Sequence, residues 1–449
     1  MISNKTVRTL FYFFLLLIQC SCNSSTDATA PKTPTASKTV SATQSWAGQT
    51  ANGTDLNNIP PKLGSLPLDE LQQRAEKKDP AALYELGRRY GSGEGLGRNP
   101  QKAKQLLFEA AKTGDADAQN ELGIAYNQGL FGAVDYEKGF TWILKSAQQG
   151  HPVAQYNLAD MYEKGEGCQR DFTKAFEWLE KSAKGKFIPA YSEIGVYYKY
   201  GTGVKQNFTE AVNWYKRGAE AGDPKGQYNL GRSYEVGQSV NQNYSEAFQW
   251  YREAANNNYP LAQDALAKIY EHGKGVAVDK NEAIKWYKKA ADNGLVDSQY
   301  SLATIYHADS RYQKALFYYQ KAANKGYEEA RLNIAIMLLF GEGITQDHQK
   351  AYNLLRLTAV EGSSKYDAIF NLGQMFENGL YVNKSLIKAY AYYQTSLKIL
   401  RLKPVESSAL TEPELLDSIT TLKAQMTAAE IAAGEAEIPK VMQEYGIAF

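Results

Sequence analysis

The stretch GSGEGLG, Gly91 to Gly97, places four glycines in seven residues, and backbone N–H groups in such a loop can cradle a phosphate at the start of a helix. That chemistry needs a strand before the loop and a βαβ setting, so the neighbouring residues decide it. The four histidines, His151, His272, His307 and His348, are possible metal ligands. None has a second ligand at metal spacing, and no HExxH or CxxC motif occurs in the body of the chain. They read as turn or solvent-facing residues, and the sequence calls for no metal and no cofactor. Cys168 is the one cysteine beyond Cys22, so the body can form no internal disulfide; it replaces a turn residue and reads as an incidental thiol.

The elements that position these residues come from a repeat. DADAQNELGIAYNQG at Asp115, HPVAQYNLADMYEKGEG at His151 and YPLAQDALAKIYEHGKG at Tyr259 are one pattern with a period of 36 residues. Units begin at Asp79, Asp115, His151, Phe187, Asp223, Tyr259, Leu295, Tyr327 and Lys365, and the last ends near Leu400. Within each unit, positions 5, 8, 9 and 12 form the stripe of a buried helical face, with Leu or Ile at position 8 and mostly Tyr at position 12. A second helix carries a small residue at position 25 and an aromatic or Leu at position 28, the small-against-large alternation by which two helices interdigitate. The glycines recur between these helices as GEG at Gly165, GTG at Gly201, GKG at Gly273 and GEG at Gly341. GSGEGLG is therefore the first copy of a helix-to-helix turn, with no strand before it.

The combination AxxxLGxxYxxGxG, the Ala at position 25 and the Trp at position 28 resembles the Sel1-like repeat, a relative of the tetratricopeptide repeat with a longer inter-helix turn. The resemblance covers Asp79 to Leu400. It implies an all-α fold, a right-handed αα-hairpin solenoid of nine repeats with terminal capping helices. Departures are the missing glycine turn of unit seven, GQS in place of GxG at Gly237, and the Leu-rich first helix of unit eight. Stability of such an array comes from stacking, so its ends need caps. Residues 67–78, PLDELQQRAEKK, supply a helix at the front. Residues 401–449 supply the rear cap, with Thr411 and Glu414 as a capping box and Leu415, Ile419, Leu422 and Met426 on one face.

Some cysteine-rich members of this family have been linked to penicillin binding and β-lactamase activity. Here SLIK, Ser385 to Lys388, matches S-x-x-K and KTG, Lys112 to Gly114, matches a second short signature of those enzymes. Their order is reversed, no S-D-N lies between them, and the cysteine pairs of that subfamily are missing. The reading is a non-enzyme with no catalytic residue; a hydrolase or binder of cell-wall peptides is the alternative.

At the N-terminus, Lys5 and Arg8 precede an apolar run, Leu10 to Ile18, too short to span a bilayer as a mature helix. Cys20 and Cys22 follow, so residues 1–20 resemble a bacterial lipoprotein signal, with Gln19 a departure from the pattern before either cysteine. That resemblance implies lipidation of Cys20 or Cys22, a membrane attachment through the lipid, and a place in the bacterial cell envelope, on the outer membrane or in the periplasm. Residues 21–66 are rich in Ser, Thr, Ala and Pro and read as a flexible linker. Asn207 and Asn243 sit in N-x-Ser/Thr sequences but read as turn residues.

Charge is balanced, with 50 Lys+Arg against 49 Asp+Glu, which leaves no basic footprint for nucleic acid. If first helices line a concave face, as in tetratricopeptide relatives, positions 6, 10 and 13 are free to bind a protein or peptide partner. Positions 6 and 10 hold Tyr84 and Arg88, Tyr156 and Asp160, and Tyr228 and Arg232. Tyr offers area and a hydrogen-bonding tip, suited to polypeptide recognition; the same tyrosines could equally pack against the next hairpin. In unit eight, Leu332, Ile336, Leu339 and Phe340, with Phe370 of unit nine, put apolar side chains where other units carry charge, an expected patch covered by the C-terminal segment or by a partner. The function expected is an envelope-associated interaction scaffold.

Overall fold

The computed structural model describes residues 66–361, 364–402 and 410–447. The signal segment, Cys20, Cys22 and nearly all of the linker lie outside the described residues. Among these, the chain is entirely helical. A front helix α1 (Leu68–Glu76) precedes nine hairpins: α2 (Pro80–Ser92) with α3 (Pro100–Lys112), α4 (Ala116–Asn127) with α5 (Tyr136–Gln148), α6 (Pro152–Lys164) with α7 (Phe172–Lys184), α8 (Ile188–Tyr200) with α9 (Phe208–Glu220), α10 (Pro224–Val236) with α11 (Tyr244–Asn256), α12 (Pro260–His272) with α13 (Lys280–Asp292), α14 (Val296–Ala308) with α15 (Tyr312–Ala323), α16 (Glu328–Phe340) with α17 (His348–Glu361), and α18 (Lys365–Asn378) with α19 (Leu386–Leu402). Two helices follow, α20 (Glu412–Lys423) and α21 (Ala428–Glu444). The molecule is an αα-hairpin solenoid whose packing divides its described residues into two bodies, 66–262 with 274–277, and 263–273 with those from 278 to 447.

Local chemistry starts and stops each helix. Asp79, Asp115, Asp171 and Asp223 accept hydrogen bonds from first-turn amides, and proline occupies the first turn of α2, α6 and α10, where no amide donor is needed. Asn207 and Asn243 are such caps, each accepting from two amides of the following turn. GSGEGLG closes α2: Gly93 takes φ 83° and its amide bonds the Arg89 carbonyl at 2.8 Å. The second glycine of the turn has another task. At Gly275 (φ 75°) an added Cβ would lie 2.8 Å from Cβ of Tyr244 in the preceding unit's second helix, so the turn rests directly on its neighbour. Ser239 and Tyr381 hold φ 55° and 65° at that slot in units five and nine, and Ser310 holds 58° in the shortened turn of unit seven.

The core runs along the stripe read from the sequence, with Leu122, Leu158, Ile194 and Leu230 buried in the first body and Leu302 and Leu372 in the second. Helices of a hairpin approach closely at position 9: a Cβ on Gly231 would meet the Tyr251 ring at 2.9 Å. Buried glutamines at position 5 join units, since Gln119 and Gln155 donate to the carbonyls of Ala111 and Ala147 at 3.0 and 3.2 Å. At the rear, Thr411 and Glu414 form the capping box, and Leu415, Ile419 and Leu422 are buried. The helix does not run on through Met426; Thr427 and Glu430 form a second capping box that starts α21 afresh. Helix α21 docks on α19, with Gly434 against the Tyr390 ring and the Tyr390 hydroxyl donating to Glu435 at 2.5 Å.

Candidate functional site

The candidate surface is the face of the first helices. In unit one, Arg88 on α2 grips Glu85 through Nε and Nη2 at 2.9 and 3.0 Å and reaches Glu94 at 2.8 Å, while Arg89 takes Glu85 at 2.9 Å. Burial alone would raise the Glu85 carboxyl; the two guanidiniums outweigh it and hold the group below its ordinary value. Tyr84 is half-buried.

Units three to five form a connected polar cluster. Glu193 Oε1 accepts from the Tyr156 hydroxyl of the preceding unit at 3.3 Å and from Lys225 Nζ of the following unit at 2.7 Å. Tyr197 donates to Glu163 at 2.8 Å, and Lys164 to Asp160 at 2.6 Å. The Tyr156 ring meets Phe187 edge-on at 5.2 Å, and Tyr228 lies against Tyr251 and Tyr259 at 5.6 and 5.5 Å. Tyr156 is thus seated against the next hairpin, and Tyr228 between its own second helix and the start of the next unit, with only part of each left to the surface. Burial, then the charges of Glu193 and Asp160, push the Tyr156 phenol well above its ordinary value, so it remains a donor. Arg232, half-buried, sits near enough to Tyr251 for its charge to oppose a similar upward shift there.

Positions 13 and 29 of a unit face each other and match in kind. Glu235 accepts from Tyr251 at 2.7 Å, Glu271 from Tyr287 at 2.6 Å and Glu377 from Tyr393 at 2.6 Å. His307 takes the position-13 place opposite Tyr319 and bonds Glu342 at 2.9 Å. In unit four Lys199 stands at position 13, and the buried Tyr215 hydroxyl has no partner among the described residues.

Glu121 on α4 shares repeat position 7 with Glu85 and Glu193 but not their partners. It is 9% exposed. His151, at the start of α6, uses Nδ1 to accept from the Ala154 amide and Nε2 to donate to Asp117 at 2.9 Å. Arg88 is engaged with Glu85 and Glu94. Glu121 has no hydrogen-bond or ion-pair partner among the described residues. Burial and the Asp117 charge push its carboxyl up to about 7, against the opposing charge of Arg88 and, when that ring is protonated, of His151. Position 7 was the missed signal, since the sequence stripe followed positions 6, 10 and 13.

In unit eight, Leu332 and Leu339 are buried, Ile336 and Phe340 half-buried, and Phe370 stacks on Tyr393 at 4.9 Å. The open apolar patch expected there is largely taken into the stack, because Leu339 is matched at position 29 by buried Leu355, while α20 and α21 pack on α19. Ser385 Oγ accepts from the Lys388 amide at 3.2 Å as a helix cap, and Lys388 Nζ lies 5.2 Å from the Phe376 ring centre. Lys112 sits over Phe108 at 4.6 Å. Cys168 Sγ contacts the Met161 carbonyl at 3.6 Å, with its thiol pushed up by burial. Among the described residues no group of His, Cys, Asp and Glu is placed to hold a metal ion.

The family profile described as Sel1 repeat matches the chain nine times in succession, at residues 80–115, 116–151, 152–187, 188–223, 224–259, 260–295, 296–327, 328–362 and 367–397. Among solved structures, a protective antigen present in uropathogenic Escherichia coli strains, displaying an SLR fold, is 28% identical over 84% of this chain and 87% of its own, with a TM-score of 0.44. A Sel1 repeat protein from Oxalobacter formigenes is 30% identical over 49% of this chain and 89% of its own, with a TM-score of 0.48. An immunity protein from Pseudomonas aeruginosa is 20% identical over 47% of this chain and 81% of its own, with a TM-score of 0.35.

Proposed function

The chain belongs to the Sel1 repeat family, and from that premise we propose that it is a non-catalytic scaffold that holds a protein or peptide partner on the face of its first helices. The observation that carries this reading is the cross-unit bracing of that face. Glu193 is fixed by one residue from the unit before it and one from the unit after it, and Tyr156 and Tyr228 are pinned by ring contacts. A surface ordered in advance loses little entropy when a partner binds. The residues proposed to meet the partner are Tyr84, Arg88, Tyr156, Asp160, Tyr228 and Arg232, with the half-buried Ile336 and Phe340 beside Leu332 as a second, apolar contact.

The lipoprotein-like start places this scaffold, in our reading, on the cell envelope through a lipid on Cys20 or Cys22. No helix among the described residues is long and apolar enough to cross a membrane. Affinity capture from solubilised envelope with the full chain tests the scaffold role, beside a variant carrying Tyr84, Arg88, Tyr156 and Arg232 changed to Ala. A partner held by the parent and lost by the variant, with the variant's helical circular dichroism intact, is the expected result. Equal capture by both would remove the first-helix face from the account. Mass spectrometry of the mature N-terminus tests the lipid.

A further inference from the structure

The position-7 carboxylates supply an internal comparison. In unit one the slot is closed by Arg88 and Arg89, and in unit four by Lys225, with Tyr156 adding a hydrogen bond. Unit two places Glu121 in the same slot with neither the cation nor the tyrosine hydrogen bond. Tyr84 stands to Glu121 as Tyr156 stands to Glu193, one unit back at position 6, and its buried phenol feels the Glu121 charge. The position that supplies Lys225 in unit five is Val153 in unit three. A buried carboxylate without a cation is costly, and the molecule's own solution at this slot, twice over, is a basic side chain.

We propose that Glu121, with Tyr84 and Asp117 beside it, is a recognition site for one basic side chain, arginine or lysine, of a partner polypeptide. The proposal rests on the scaffold reading and names the chemistry of the contact within it. The groups whose charge reaches Glu121 are Arg88 on α2, Asp117 on α4 itself and, when protonated, His151 at the start of α6, and the Tyr84 phenol on α2 is near enough to feel the Glu121 charge. Arg88 and His151 are held by Glu85, Glu94 and Asp117, so neither is free to take the place of the incoming cation. Because the empty site favours the protonated acid, a bound cation must draw the proton off. Acidification therefore weakens binding.

The test uses the full chain and two ten-residue Gly/Ser/Tyr peptides that differ only in a central arginine or glutamine, titrated calorimetrically at pH 8 and pH 5.5. The arginine peptide is expected to bind about tenfold more tightly than the glutamine peptide at pH 8, the worth of one modest charge contact, and to lose most of that preference at pH 5.5. Glu121→Gln should abolish the preference at pH 8. Val153→Lys, which supplies the missing cation from within, should abolish it as well while leaving the carboxylate in place. Equal binding of the two peptides by the parent, or a preference that survives Glu121→Gln, would overturn the site. The envelope capture experiment is independent of these peptides, so loss of the site would leave the wider scaffold reading standing.

Discussion

Glu193 and Glu121 hold the same position in hairpins two units apart, and their surroundings differ: Glu193 has a lysine and a tyrosine hydrogen bond, and Glu121 has neither and feels the Asp117 charge. Around Glu193, Lys225 and Tyr156 arrive from opposite sides of the stack, at 2.7 and 3.3 Å. Around Glu121 the tyrosine is present as Tyr84, but Val153 stands where the lysine would be. A solenoid repeats its backbone and need not repeat its bonding, because a slot in one unit is completed by residues one unit before and one unit after. The lesson extends to positions 13 and 29, where Tyr251 finds Glu235 while Tyr215, in the unit that has Lys199 at position 13, has no partner among the described residues. Slots of this kind are where a stack can exchange stability for an open contact.

The comparison can be broken most strongly at Glu121 itself. Its carboxyl lies at 4.5 in the unfolded chain and about 7 in the folded one. For a raised acid the stabilising contribution is complete below the unfolded value and is lost as pH rises through the folded value. Glu121→Gln should therefore stabilise the protein by about 3 kcal/mol at pH 8 and change little below pH 4.5, read as urea midpoints at the two pH values. Asp367, in the other body and also pushed up to about 7 by burial, keeps its own share of the pH dependence in that variant. An equal effect at both pH values would show that ionisation is not what separates the two slots.

A smaller change runs in the opposite direction at the closed slot. Lys225→Met strips the cation from Glu193, whose side chain is 18% exposed against 34% for the lysine, and should cost about 1–2 kcal/mol at pH 8, reduced by that exposure. An unchanged urea midpoint would mean that Tyr156 alone closes the slot. Lys199→Glu offers the Tyr215 hydroxyl the acceptor that Glu235 gives Tyr251; a gain of about 1 kcal/mol is expected, with no gain once Tyr215→Phe is added. The least effect belongs to Val153→Lys, about 0.5 kcal/mol of stabilisation at pH 8 for a partly exposed pair. It should vanish in the double variant with Glu121→Gln, and an additive double variant would show that the lysine does not reach the carboxylate.

The sequence by itself determined the hairpins, their number and their buried stripe. Those features rest on short-range periodicity and on Asp, Asn, Pro and Gly at helix ends, whose chemistry acts within a turn or two of the residue. The role of GSGEGLG as a turn was legible for the same reason, since a helix both precedes and follows it. Tertiary structure decided which polar residues are satisfied. Tyr156 and Tyr228 read equally well as open contacts or as packing, and only the approach of Phe187, Tyr251 and Tyr259 showed them seated against neighbours. The apolar side chains of unit eight and Phe370 of unit nine looked like an open patch because their cover, Leu355 opposite Leu339 and Tyr393 over Phe370, comes from the second helix of each hairpin. Met426, read on one face with Leu415, Ile419 and Leu422, falls between two helices, because Thr427 and Glu430 repeat the capping box at Thr411 and Glu414. Glu121 went unnoticed for a related reason: its type and position match those of Glu193, and what sets it apart is a lysine thirty-two residues beyond Glu193 that has no counterpart thirty-two residues beyond Glu121. Periodicity is written in neighbouring residues, whereas charge compensation is settled by whichever side chains the stacked backbone brings within a few ångströms.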